Sequence, residues 1–466
     1  ADNTTDDSKG YIYIEGGKIN INSEQDGIQA ETELLVADGY ITIKTGGGSE
    51  NSTKANQSLG QRPDGMTKGE RPTMPDGMNK GERPTIPNGQ TQGQAPVFPD
   101  GQPQGERPEM PQDIRQPSNN QDTNSNTDTS TDTSTDESTS MKALKATTNI
   151  IIDGGTFNID SEDDSIHSNA NAIINGGTFE IASGDDGIHS DTQLDINGGT
   201  INISKSYEGI ESTTININDG SIHLVASDDG INAAGGNDIS TETGMAGNDK
   251  FSSSGNGLIN ITGGYVYVDA SGDGIDANGN IKMSGGTVLV NGPTNDGNGS
   301  LDYDKTFDIS GGILVAAGSS GMAQMPSDSS SQKILNINLT QQEGNTVVNV
   351  KSSDGKNILT YAPSKNYSSV IVSTPDIKDN TKYTVSVGKT AKGEAKDGLY
   401  SDGNYSGGTE VGSETTSSTI TNITQDGAST NSMRGQGGRP GGKGHKMQLN
   451  TNGQTNNQIN SQITEQ

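Results

Sequence analysis

The chain contains no cysteine and no tryptophan, and its 466 residues include only 5 Phe, 12 Tyr and 4 His. Without cysteine there are no disulfide staples, no thiolate nucleophile and no thiolate zinc site. The apolar fraction, 27%, is too small for a broad globular core along the whole length. Either much of the chain lacks a fold, or the fold needs little core per residue. Basic residues are scarce as well: 30 Lys and Arg stand against 60 Asp and Glu, a formal charge of -30. Such a chain is unsuited to neutralising a phosphate backbone, which argues against a nucleic-acid partner. It also repels itself unless cations are bound or condensed. No apolar run approaches the roughly 18 residues that span a bilayer, and no leader-like segment is visible. A regular strand pattern is already under way at Tyr11, as expected of a processed piece from which earlier coils are missing.

Glycine, by contrast, is plentiful, with 65 residues, and it is periodic. Gly-Gly or Asp-Gly followed by a short alternating strand recurs at Gly16-Gly17, Asp38-Gly39, Gly154-Gly155, Gly176-Gly177, Gly198-Gly199, Asp219-Gly220, Gly263-Gly264, Gly285-Gly286 and Gly311-Gly312. Where no insertion intervenes the spacing is 22, apart from one of 21 and a last one of 26. From Asp219 to Gly263 two periods elapse, with a Gly/Asn/Ser-rich bulge over residues 235–257. A second marker runs in phase with the first: Asp26-Gly27-Ile28, Asp164-Ser165-Ile166, Asp186-Gly187-Ile188, Glu208-Gly209-Ile210, Asp229-Gly230-Ile231 and Asp273-Gly274-Ile275. The stretch Met141 to Ala146 fills that slot once, and Gly299-Ser300-Leu301 fills it last.

Each period holds three short alternating strands, as in Thr178 to Ile181, Gly187 to Ser190 and Gln193 to Ile196. Strands this short are stable only when equivalent strands of successive periods stack, about 4.8 Å apart, around a common core. The fold class predicted is therefore all-β: a right-handed parallel β-helix of about 22 residues per coil. Ile28, Leu144, Ile166, Ile188, Ile210, Ile231, Ile275 and Leu301 should form one core file. Ala30, Ala146, Ser168, Ser190, Ser212, Ala233 and Ala277 should form the next.

The first coils occupy residues 1–45 and the main β-helix residues 141–325. Between them, residues 46–140 are a Pro/Gly-rich and then Ser/Thr/Asp-rich insertion, expected to be disordered or partly polyproline-like. Residues 326–424 carry longer strands without the second marker, around Ile334 to Leu339, Thr346 to Val350, Ser368 to Ser373 and Tyr383 to Val387. A C-terminal β-cap over an otherwise unpaired edge is expected there. Residues 425–466 read as a disordered tail whose Arg434, Arg439, Lys443 and Lys446 could touch an anionic cell wall.

Stacking has an electrostatic consequence. Residues 141–320 hold 25 Asp and Glu against 6 Lys, and the excess is concentrated at turns. Asp26, Asp164, Asp186, Glu208, Asp229 and Asp273 share a column, with Asp163, Asp185 and Asp228 just before it. The outward column beside them reads Gln29, His167, His189, Glu211, Asn232, Asp276, Asp302, and the next reads Glu31, Asn169, Asp191, Asn278, Asp304. Two carboxylates one coil apart repel by about 3–4 kcal/mol at a near-surface effective dielectric and by about 1 in bulk water. Oxygen ligands on adjacent coils suit Ca²⁺, which accepts them in loose geometry, better than Mg²⁺ or Zn²⁺. The candidate ligands are Asp163, Asp164, Asp185, Asp186, Asp191, Glu208, Asp228, Asp229, Asp273, Asp276, Asp302 and Asp304. The plainer explanation of any one Asp is ordinary turn chemistry, the side chain capping nearby backbone. His167 and His189 are expected to form a surface ladder, since two histidines make a weak zinc site. The run from Asn295 to Asp304 lacks the glycine and glutamate an EF-hand loop requires.

The segments GYIYIEGGKININSEQDGIQAETELL, SIHSNANAIINGGTFEIASGDDGIHSDTQLDINGGTINISKSYEGIES and ISGGILVAAGSSGMAQMPS resemble a clostridial family of β-helix carbohydrate-binding proteins whose type member binds polygalacturonic acid. The resemblance implies a pectate-lyase-like fold, secretion to the extracellular space or cell surface, and calcium at acidic sites. It also implies binding of acidic plant cell-wall polysaccharide such as pectin. A polyanion is gripped by an acidic protein only through bridging cations or scarce basic groups, so His189, Lys205, Tyr207, Glu208 and Glu211 are the candidate carbohydrate contacts. Aromatic platforms for neutral sugars look poorly supplied. One alternative is a calcium-dependent pectate lyase. Its proton-abstracting base would be Lys205, because no Arg lies between Arg115 and Arg434. Another is a surface adhesin or matrix scaffold without a defined sugar site.

Overall fold

The computed structural model describes residues 10–54, 140–233, 255–389, 391–401 and 404–428. All fall within one unit, residues 1–61 and 138–466; the other unit, Arg62–Glu137, lies outside the described residues. Among the described residues every regular element is a β-strand, and none is a helix long and apolar enough to cross a membrane.

Most strands belong to three parallel stacks. One begins with Ile28–Ala30, Leu144–Ala146 and Ile166–Ser168; a second with Ile12–Ile14, Glu33–Val36 and Asn149–Ile152; a third with Lys18–Ser23, Tyr40–Thr45 and Thr156–Ser161. Ile188–Ile196 and Ile210–Ile217 run through the first and second stacks, so these share one 15-stranded sheet, while the third heads a 12-stranded sheet. Pairing follows the repeat residue by residue. Ile12 pairs with Leu34, Leu34 with Ile150, Ile150 with Ala172, Ala172 with Leu194, and Leu194 with Ile215. Ile215 then pairs with Ile259, Ile259 with Ile281 and Ile281 with Phe307.

Residues 46–54, expected to belong to the disordered insertion, are held against the stack. Gly46 N–H donates to Ser23 O at 3.0 Å, Ser49 N–H to Asp160 Oδ1 at 2.8 Å, and Ser52 Oγ to Gly184 O at 2.6 Å. The rest of the insertion, most of the 235–257 bulge and almost all of the C-terminal tail lie outside the described residues.

Alternation sends every second side chain inward. The file from Leu144 through Ile166, Ile188, Ile210, Ile231 and Ile275 to Leu301 is fully buried, with Ile28 at its start. Phe157 and Phe179 stack face to face, centroids 4.6 Å apart. Two kinds of glycine make the coils possible. The second glycine of each Gly-Gly pair sits at positive φ, 107° at Gly177, a region side chains disfavour. Gly187 instead answers a close approach: a Cβ there would meet Gly209 O at 2.6 Å. Outward polar side chains form ladders. Asn197 Nδ2 donates to Asn175 Oδ1 at 2.9 Å, and Asn218 Nδ2 to Asn197 Oδ1 at 2.9 Å.

Beyond Ile313–Gly318 the direction changes. That strand pairs antiparallel with Tyr367–Ser373, which pairs antiparallel with Ile334–Gln342. A separate six-stranded sheet includes Val348–Ser352, Asn357–Tyr361 and Lys382–Val387. Its Val350, Tyr361 and Tyr383 share a second core with Leu289 and Val315, outward residues of the third stack. An apolar outer face is thus covered by protein.

Ile210→Ala removes a buried side chain from the middle of the first file and should cost about 2–5 kcal/mol. A lower chemical-denaturation midpoint would register that loss; an unchanged midpoint would show that the file is not packed.

Candidate functional site

The acidic column is built by the turn preceding the first stack. Its carboxylates do more than cap their own turns: they bridge coils. Asp26 Oδ1 accepts Lys142 N–H at 2.9 Å, Asp164 Oδ1 accepts Asp186 N–H at 3.0 Å, and Asp186 Oδ1 accepts Glu208 N–H at 3.3 Å. Asp229 and Asp273 repeat the bond to the backbone of Asp273 and Gly299. In each case one oxygen satisfies a turn amide of the next coil, a cost otherwise paid in unpaired backbone. The second oxygen is left to face its neighbours.

At one end of the column the protein supplies its own cations. Lys142 occupies the acidic slot one period before Asp164, and its buried Nζ lies 2.6 Å from Asp164 Oδ2 and 3.0 Å from Asp163 Oδ1. Burial opposes its charge, but the two carboxylates override that and push its pKa up. Burial likewise works against Asp164, yet Lys142 and His167 hold its carboxyl well below the usual range. Lys54, from the segment after the second coil, pairs with Asp185. Burial and then Asp164 still push Asp185 up to about 7. Lys145 meets Asp26 at 3.2 Å.

The histidines sit in the middle of the column and are buried, not on the surface as expected. Their rings stack 4.8 Å apart at 17°. His167 Nδ1 lies 2.7 Å from Asp164 Oδ2. His189 Nδ1 lies 3.1 Å from Asp186 Oδ2 and 2.8 Å from Glu211 Oε2, and its Nε2 lies 3.1 Å from Asp191 Oδ1. Burial disfavours the His189 imidazolium, but bonds to Asp186, Asp191 and Glu211 raise its pKa well above the ordinary value. An aspartate three residues before each histidine draws the ring inward.

Toward the other end, carboxylates face carboxylates. Burial first, then Glu211, Asp186 and Asp229, push Glu208 well up. Burial, then Asp228, Asp273 and Asp276, do the same to Asp229, and burial raises Asp228. Asp186 rises through burial and Asp185. Ligand oxygens of Asp229, Asp273 and Asp276 lie within 4.8 Å of one another. Asn232, 1% exposed, gives its amide nitrogen to Glu208 Oε2 at 2.9 Å, while its Oδ1 is buried without a partner. The same spacing brings together Asp163, Asp164 and Asp185; Asp164, His167 and His189; and Asp186, His189 and Glu211.

Of the other expected site residues, some continue or flank the column and one lies on another stack. Asp302 follows Asp276 in register and accepts from the Gln324 amide, and Asp304 is exposed. Tyr207 exchanges backbone hydrogen bonds with Asp185 and Asp228. Lys205 lies on Thr200–Lys205 in the third stack, its Nζ 3.0 Å from both Ser49 O and Glu50 Oε1. Neither of these bonds reaches His189, Glu208 or Glu211. Lys142 and Lys54 were not among the expected site residues. Lys142 was legible as a lysine in an acidic slot, whereas nothing in the sequence around Lys54 marks its contact with Asp185.

A family model described as carbohydrate-binding domain-containing protein matches residues 1–187 and 185–422. No curated protein matches the chain, and neither does any solved structure.

Two substitutions should act oppositely. Lys142→Met strands buried carboxylates and should cost about 3–5 kcal/mol at pH 7. The loss should shrink on acidification, because the stability Asp164 contributes is present above its unfolded pKa and disappears as pH falls through its lowered folded pKa. Glu208→Gln removes like-charge repulsion and should stabilise by up to about 3 kcal/mol in chelator at pH 8. That gain should fade at lower pH, where the raised carboxyl of Glu208 is already protonated. Denaturation midpoints across pH read both.

Proposed function

The chain belongs to the family of carbohydrate-binding domain-containing proteins, and from that premise we propose that it is an extracellular or cell-surface binder of acidic plant cell-wall polysaccharide, polygalacturonate or pectin, acting through calcium. The three stacks are read as a right-handed parallel β-helix of 22-residue coils, and the strands after Gly318 as its β-cap. The observation that carries the proposal is a cluster of oxygens in the acidic column. Asp229, Asp273 and Asp276 bring ligand oxygens within 4.8 Å of one another, in the register that also carries the buried, unpartnered oxygen of Asn232.

That cluster fits a hard cation. Its donors are all oxygens, they come from consecutive coils, and one is a buried carbonyl-type oxygen lacking any donor. Asp229, Asp273, Asp276 and Asn232 would hold Ca²⁺, with Glu208 and Glu211 adding charge from the preceding coil. Bound there, the ion would supply the positive charge through which sugar carboxylates attach. The chain's own part is to fix those oxygens by register and by the amide bonds that Asp229 and Asp273 accept. No cleavage is proposed: the Lys205 ammonium is engaged by Ser49 and Glu50 on the third stack.

Polygalacturonate beads should retain the protein in calcium and release it in chelator, without generating ultraviolet-absorbing unsaturated ends. Asp273→Asn with Asp276→Asn should weaken retention at least tenfold. Retention unaffected by chelator would defeat the calcium reading, and unsaturated product would establish a lyase.

A further inference from the structure

Tyr11, Tyr13 and Tyr40 are the large apolar side chains left exposed among the described residues, at 61%, 52% and 67%. Two of them share a face. Tyr13 pairs with Leu35, Leu35 with Ile151 and Ile151 with Ile173, so these four outward side chains form a half-exposed apolar file along the second stack. Extending the register by one residue sets Tyr11 beside Glu33, and that column continues through Asn149 to Asn171. Asn171 Nδ2 donates to Asn149 Oδ1 at 3.1 Å, so the amides are held in line next to the apolar file. After Ile173 the file turns polar, with Asp195, Asn216, Asn260, Lys282 and Asp308 following in register. The patch is thus bounded. Tyr40 lies on the third stack, between Lys18 and Thr156, and is not part of it.

We infer that this face, Tyr11 and Tyr13 with Leu35, Ile151 and Ile173, is a second carbohydrate contact that takes an uncharged stretch of glycan without any cation; the inference rests on the carbohydrate binding proposed above. The chemistry selects the occupant. Outward apolar side chains at consecutive rungs are unfavourable in water unless something covers them. Tyrosine rings offer flat apolar faces with a polar tip, suited to the C–H faces of sugar rings, and the adjoining amides suit hydroxyls, as donors and acceptors alike. Glu33 is the single charged residue among the eight in the two columns, so nothing there would hold sugar carboxylates. Rungs rise by about 4.8 Å, on the order of one sugar ring, so a chain lying along the stack meets a new rung with each unit. Tyr11 and Tyr13 answer the apparent lack of aromatic platforms in the sequence: they are few, but adjacent.

The test uses the intact chain with two probes, polygalacturonate and its fully methyl-esterified form, each in calcium and in chelator. Wild type should bind the esterified polymer equally in both buffers. Tyr11→Ala with Tyr13→Ala should weaken that binding at least tenfold and leave the calcium-dependent part of polygalacturonate binding in place. Ile173→Lys, at a half-exposed position three coils from the tyrosines, should weaken it too, and thermal midpoints near wild type would show both variants folded. Asp273→Asn with Asp276→Asn should leave esterified-polymer binding unchanged, which separates this surface from the acidic column. No binding of the esterified polymer by wild type, or equal binding by the tyrosine variant, would overturn the inference. Concentration-dependent self-association abolished by the same tyrosine changes would overturn it as well, by making the face a contact between copies.

Discussion

Everything in this molecule follows from parallel stacking in register, which makes each side chain the near neighbour of its counterpart in the next period. Whatever a column contains, it contains repeatedly, at a spacing of about 4.8 Å. Isoleucine columns gain by this, because identical branched side chains pack without voids. Asparagine columns gain too, since each amide can donate to the one before it, as Asn197 does to Asn175. A carboxylate column is the one that the geometry penalises. The chemistry of the protein is concentrated where that penalty falls.

The column resolves its repulsion in three ways along its length. Lys142 and Lys54 neutralise one end, and Lys142 does so from within the acidic slot itself. The middle uses imidazole, His189 standing among Asp186, Asp191 and Glu211. At the other end, Glu208, Asp228 and Asp229 remain pressed toward the protonated form. Backbone bonds explain why the acids are present at all, since Asp164, Asp186, Asp229 and Asp273 each tie a turn amide of the following coil. Turn chemistry and cation binding are therefore compatible uses of one carboxylate, one oxygen for each.

The sequence made the stacks legible because period and alternation were explicit: the spacing of its Gly-Gly markers is the spacing at which Ile150, Ala172 and Leu194 pair. The acidic column could be listed for the same reason. Its division could not, because that depends on contacts between residues far apart in sequence. Lys54 meets Asp185 across 131 positions, and Lys205 meets Glu50 across 155. Burial of His167 and His189 was equally hidden, since alternation alone places them outward. The aromatic face is not legible in composition, which counts tyrosines without saying that Tyr13 heads a file continued by Leu35 and Ile151.

Calorimetric titration of calcium into chelator-stripped protein tests the central claim most directly. The oxygens of Asp229, Asp273 and Asp276 are held to gather around a calcium ion. The account predicts saturable binding that Asp229→Asn abolishes, with a heat that varies with buffer ionisation as the raised carboxyls give up protons. Absence of saturable heat, or binding that survives Asp229→Asn and disappears with Asp163→Asn instead, would contradict it.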